Sequence, residues 1–143
     1  MTNLHTTSQG FFREETLQSH LDEIVRAENI LSEVALGAGI PEEKTPLFIV
    51  AVTEALSNAI LHGNRQRADK KVTLRFIHKP EERLLLVEVQ DEGEGFDPSN
   101  LPDPTQKENL LRESGRGIYL MRNIADEVLF HQGGRCVELR FRL

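Results

Sequence analysis

Apolar residues change their spacing several times along this chain, and each change predicts an element. From Thr16 they recur at helical intervals at Leu17, Leu21, Ile24, Val25, Leu31, Val34, Ala35 and Ala38, with charged residues between. Gly37 and Gly39 are expected to end that helix. Pro41-Glu42-Glu43 opens the next, since proline and acids suit a first helical turn, and it runs to Gly63-Asn64. Ahead of both, Gly10-Phe11-Phe12-Arg13 reads as a short edge strand. Residues 72–78 alternate and 84–90 are more continuously apolar, so two strands flank a hairpin turn at 79–83. Residues 91–114 are polar, carry glycines and prolines, and lack periodicity, as functional or mobile loops do. A helix over 117–125 and a last hairpin around Gly133-Gly134 complete the pattern. The order predicts an α/β (α+β) two-layer sandwich: a mostly antiparallel mixed sheet with about three main helices on one face.

Length and composition narrow the picture. At 143 residues the chain is expected to form one domain, 1–143, with a flexible segment at 1–9. The formal net charge of -6 speaks against general nucleic-acid binding and against docking on anionic lipid. A phosphate-bearing ligand would therefore rely on local positive charge, backbone amides or a metal ion. Cys136 is the single cysteine, so no intramolecular disulfide forms, and it reads as a strand residue. No signal-peptide core opens the chain, and no apolar run reads as long enough to span a bilayer, so a cytoplasmic location is expected.

Against this background three segments stand out. Glu54, Asn58 and His62 recur at i, i+4 and i+8 in an otherwise apolar helix, so they share one face. An asparagine oxygen is a hard, neutral ligand suited to Mg²⁺, and a glutamate one turn away can deprotonate or orient a nucleophile. A solvated polar stripe would show the same spacing. Asp91-Glu92-Gly93-Glu94-Gly95 follows an apolar strand directly. A carboxylate there needs a donor, which the adenine amino group supplies and the guanine carbonyl does not. Gly93 and Gly95 allow close backbone approach to a flat ring, although an acidic turn has the same composition. Ser114-Gly115-Arg116-Gly117 precedes a helix, whose N-terminal amides favour anions. Arg116, Arg112 and Lys107 add positive charge, while a flexible hinge is the plain alternative. The chain has neither a P-loop nor a protein-kinase glycine loop followed by His-Arg-Asp.

In order, Glu-x-x-x-Asn, strand-Asp-x-Gly-x-Gly and Gly-x-Gly-helix resemble the N, G1 and G2 boxes of the GHKL, or Bergerat-fold, ATPases. Within that superfamily, Glu54-Ala55-Leu56-Ser57-Asn58-Ala59-Ile60-Leu61-His62-Gly63 is similar to the N box of the bacterial anti-sigma-factor serine kinases. The segment from Ser114 to Val128 resembles their third box and helix. The resemblance covers about 16–143. It implies ATP and Mg²⁺ as cofactors, Asn58 as the metal ligand and Glu54 as general base. It also implies Asp91 on the adenine amino group, Gly93 and Gly95 shaping that wall, and Gly115, Gly117 and Arg116 at the phosphates. His62 and Arg112 join the nucleotide set, and 98–114 is the expected lid. The implied activity is phosphorylation of a STAS-type antagonist on serine or threonine, together with sequestration of a sigma factor or another regulator. A homodimer is expected from the family, with no nucleic-acid or membrane partner. Two other readings stand beside it: an ATP-sensing module without catalysis, and a detached histidine-kinase ATPase domain, for which His20 is the candidate acceptor. A structural domain without nucleotide is the third.

Overall fold

The structure, a computed structural model, describes residues 9–95 and 113–143, with side chains of the second segment from Arg116 onward. Five strands and three helices alternate as β1 (Phe11–Gln18), α1 (Glu23–Ala38), α2 (Thr45–Asn58), β2 (Lys71–Lys79), β3 (Leu84–Gln90), α3 (Glu113–Ile124), β4 (Glu127–His131) and β5 (Cys136–Arg142). The sheet order is β1-β2-β3-β5-β4, and every pairing is antiparallel rather than mixed. Tight connections explain two of these pairings: one-turn 3₁₀ segments, Pro80–Glu82 and Gln132–Gly134, join β2 to β3 and β4 to β5. A parallel pair would need a long crossover.

Alternation decides which face is buried. Leu74, Val89 and Val137 lie in one cross-strand row, Phe76, Val87 and Leu139 in the next, and all are buried. Against these rows pack Ala27, Leu31, Val34 and Ala35 of α1 and Phe48, Ala51, Val52, Ala55 and Leu56 of α2. The opposite face carries a charged row. Arg75 binds Glu14 at 2.8 Å and approaches Glu88 at 3.5 Å; Glu88 lies across from Glu138, which Arg140 and His131 hold. Two like charges face each other there, and flanking cations make that register tolerable.

Some boundaries differ from the sequence reading. β1 is eight residues long, and α1 begins at Glu23, so Leu17 is a buried strand residue, not part of a helix. The alternation of β1 is masked because Arg13 and Glu15 face the helix layer, where Arg13 binds Glu15 and Glu33 of α1 at 2.9 Å each. His20 sits in the β1–α1 turn, not on a long helix, its ring accepting from the Asp22 amide at 3.1 Å. Gly37 lies within α1, and Gly39 caps it at φ 78°, its N–H meeting the Ala35 and Leu36 carbonyls. The run Glu42–Gly63, 22 residues with a mean hydropathy of 1.3 over an 18-residue window, is long and apolar enough to cross a membrane, contrary to the sequence reading. Its apolar residues are instead shared between the sheet, α1 and α3, as in a core helix.

α2 ends in a widened π turn over Ala59–Gly63, where Asn64 donates to the Ala59 carbonyl at 2.8 Å. Asn64 is only 1% exposed. Its amide donates to Ser19 Oγ at 2.8 Å and to the Lys71 carbonyl at 3.0 Å, and its oxygen accepts from the Glu92 amide at 2.8 Å. One side chain thus ties the ends of β1 and α2 to the start of β2 and the loop after β3. Replacing it with alanine leaves several buried groups unpaired. Asn64→Ala is expected to cost about 2–4 kcal/mol, read by urea denaturation, from the penalty on each orphaned group.

Candidate functional site

Glu54 and Asn58 lie one turn apart on α2, half-buried, beside the first turns of α3. Gly117 is where the helices touch. A β-carbon there would stand 2.9 Å from Glu54 Oε1 and 3.1 Å from Asn58 Nδ2. A side chain at 117 would therefore push this carboxylate and amide away from α3. The sequence reading opened this helix at Gly117; α3 instead begins at Glu113, so both Gly115 and Gly117 lie inside it. The amides nearest a ligand are then those of the helix's own first turn, still the positive end of its dipole.

The other end of the site forms where α2 meets β3. Asp91 directly follows β3 and is 9% exposed. Its Oδ1 accepts the Gly93 amide at 2.8 Å, while Oδ2 faces the α-carbon of Gly63 so closely that a β-carbon on Gly63 would collide with it. A β-carbon on Gly93 would strike the Gly63 carbonyl. Gly93 thus acts by letting two backbones meet behind Asp91, not by contacting a ring itself. Gly95, at φ 84°, likewise packs on the carbonyl of Gly133. Burial pushes the Asp91 carboxyl up; the Gly93 amide, Arg135 and Lys70 act in the opposite direction without cancelling it.

Between these ends lies a cavity of about 200 Å³. Its walls are apolar, from Ala55, Ala59, Val89, Ile118, Met121, Phe130 and Val137, and its polar groups are few: Asn58, His62, Asp91 and Arg135. That balance suits a flat ligand fixed by a small number of hydrogen bonds.

The expected residues are therefore partly brought together. Asn58, His62, Asp91 and Gly95 line the cavity; Glu54 and Gly117 stand beside it at the Asn58 end, and Gly93 lies behind Asp91. His62 is exposed at the rim, turned by the π turn. Arg116 is exposed on α3. Arg112 and the expected lid up to residue 112 fall outside the described residues. Two contributors were missed. Gly63 reads in sequence as a helix stop and Arg135 as the first residue of the last strand, although it lies in the turn before β5, and neither type signals a site. No group of three or more His, Cys, Asp or Glu residues that could hold a metal occurs among the described residues. A metal here would rest on the Asn58 oxygen, with a ligand's phosphates and water completing its shell, which fits Mg²⁺.

A half-buried carboxylate and amide stand at the Asn58 side of this apolar cavity, and a buried aspartate lines it as well, which suits an ATPase domain. Residues 17–143 match the histidine kinase-like ATPase domain family, to which this chain belongs. The chain is 34% identical over 104 residues to the serine-protein kinase RsbW of Bacillus subtilis, and the match covers 68% of this chain and 64% of that protein. It is 30% identical over 108 residues to the serine-protein kinase RsbW of Staphylococcus epidermidis, covering 71% of this chain and 67% of the relative. The chain thus spans about two thirds of the length of these relatives. A crystal structure of the RsbU and RsbW domains of a Mycobacterium tuberculosis protein shares the fold at a TM-score of 0.65 and 14% identity, over 93% of this chain and 32% of that one.

The geometry at Asp91 gives a specific expectation. An asparagine there has one oxygen, which the Gly93 amide takes, leaving an NH₂ to face an adenine amino group, donor against donor. Asp91→Asn should weaken ADP binding about 5- to 150-fold, the equivalent of one lost buried hydrogen bond of roughly 1–3 kcal/mol. Because the folded protein holds this carboxyl above its ordinary range, ionising it costs stability as pH rises through that range. The same variant should therefore melt no lower than the parent at neutral pH without nucleotide, and calorimetry with and without ADP separates the two effects.

Proposed function

We propose that this chain is an ATP-dependent serine/threonine protein kinase and anti-sigma factor of a partner-switching system. In this reading it phosphorylates a STAS-type antagonist and, alternately, sequesters a sigma factor. The observation that carries the reading is Glu54 and Asn58 held side by side against Gly117, at the opposite end of the cavity from Asp91. Asp91 would accept the adenine amino group, and the apolar walls would sandwich the ring. The phosphates would then extend toward Asn58 and the N-terminus of α3, with Arg116 nearby. Asn58 would hold Mg²⁺, whose positive charge would offset that of the phosphates.

In this reading an entering serine hydroxyl would arrive at Glu54. It would take the hydroxyl proton as the serine oxygen bonds to the γ-phosphorus and the bond to the β–γ bridging oxygen breaks, leaving ADP and phosphoserine. The new phosphate adds charge to the antagonist and would release it from this surface. The names of the B. subtilis and S. epidermidis relatives support the kinase assignment. The same reading includes a homodimer, for which β1 offers an outer edge that pairs with no other strand among the described residues, with Phe12 63% exposed.

The test is incubation with labelled ATP, Mg²⁺ and the STAS-type protein encoded nearest in the genome. Label on a serine or threonine of that protein is the expected result. ATP binding without transfer would replace the kinase by an ATP-sensing module, and label on a histidine would favour a histidine-kinase role. Glu54→Gln is expected to keep ADP affinity while slowing transfer about 10²- to 10⁴-fold, the usual loss on removing a general base.

A further inference from the structure

Arg135 closes the turn between β4 and β5, directly before Cys136, and nothing in the sequence marks it. Its Nε donates to the Gly93 carbonyl at 2.7 Å, and its Nη1 donates to the Gln132 carbonyl at 3.1 Å. Its own carbonyl accepts the Asp91 amide at 2.8 Å. The stem runs between two glycines: a β-carbon on Gly95 would lie 3.6 Å from its Cγ, and one on Gly133 would lie 3.7 Å from Nη1. The same side chain lines the cavity with Asp91. Only a planar, forked cation can bind two carbonyls on different turns while lying flat between them; a lysine would offer a point charge and no fork.

We propose that Arg135 is a positioning residue for purine selection, clasping the Asp91–Gly95 loop to the β4–β5 turn and setting a positive charge beside the Asp91 carboxylate. The proposal rests on the ATP reading above. Two consequences follow from the contacts. The clasp fixes the wall on which the base would lie. The charge opposes the effect of burial on Asp91, together with Lys70 ahead of β2 and the Gly93 amide. Other titratable groups around that carboxylate are His62, on the same cavity, and the Cys136 thiol, which burial pushes up to about 11. An ionised Asp91 accepts from the 6-amino group of adenine. A protonated one can donate to the 6-carbonyl of hypoxanthine, so base choice depends on which form prevails.

The experiment measures ADP and inosine diphosphate affinities, by displacement of a fluorescent ADP analogue, from acidic to neutral pH. The parent is expected to prefer ADP at neutral pH and to lose that preference on acidification. Arg135→Gln removes the charge, so its loss of preference should set in at higher pH. Arg135→Lys keeps the charge but not the fork; its midpoint should stay with the parent's while ADP affinity falls roughly two- to tenfold, the equivalent of about one net hydrogen bond. A folded Arg135→Gln whose pH profile coincides with the parent's overturns the proposal, because a merely structural residue would leave that profile in place. Should Arg135→Gln fail to fold, parent-like ADP affinity in Arg135→Lys overturns it instead. A parent that binds neither nucleotide at any pH overturns the ATP reading itself, a result distinct from either of these.

Discussion

Everything at this site depends on how closely two backbones approach behind one carboxylate. Gly63 at the end of α2 and Gly93 after β3 meet with no side chain between them, and Asp91 is pressed into the gap. That contact places a charged group in a nearly dry position, where its ionisation is disfavoured and any hydrogen bond it makes is strong. It also ties Asp91, which follows β3, to Asn58, because Gly63 lies in the terminal turn of the helix that carries Asn58. A methyl group at either glycine would open the gap and change the spacing between the two ends of the cavity.

The contact is supported from outside rather than by its own strength. Asn64 anchors the loop after β3 through the Glu92 amide and holds the ends of β1 and β2 at the same time. Arg135 anchors the same loop from the side of β5. The carboxylate is thus braced from both flanks, and the register that pairs Gln90 with Cys136 brings Arg135 into place beside Asp91. Positioning flows from sheet register to turn, from turn to loop, and from loop to carboxylate.

Legibility in the sequence followed contrast. Glu54, Asn58 and Asp91 were visible because each is polar inside an apolar run, and burying such a group demands a reason. β2 was visible because its two faces differ strictly, Val72, Leu74 and Phe76 against Lys71, Thr73 and Arg75. β1 was half hidden, since Arg13 and Glu15 take inward positions that pattern reading reserves for apolar groups, and their partners on α1 are distant in sequence. Gly63, Asn64 and Arg135 were hidden for a related reason. Glycine, asparagine and arginine beside turns are ordinary there, and only tertiary contact distinguishes an anchor from a solvent-facing residue. The glycine pair on α3 was recognised for anion binding, whereas Gly117 also serves as a contact point between helices.

The π turn at Ala59–Gly63 carries a consequence for how such a chain can vary. A widened turn amounts to one residue more than a regular helix needs at that point. Removing a residue there would restore a straight α-helix, and in doing so would rotate everything beyond it by roughly 100°. Gly63 would leave the Asp91 carboxylate, and a bulkier neighbour would arrive in its stead. Length in this stretch is therefore constrained as tightly as composition: substitutions can be absorbed along α2, but a one-residue deletion shifts the phase between the helix's two ends. Insertions and deletions among related chains should accumulate past Asn64, in the exposed stretch leading to β2, where no such phase has to be kept.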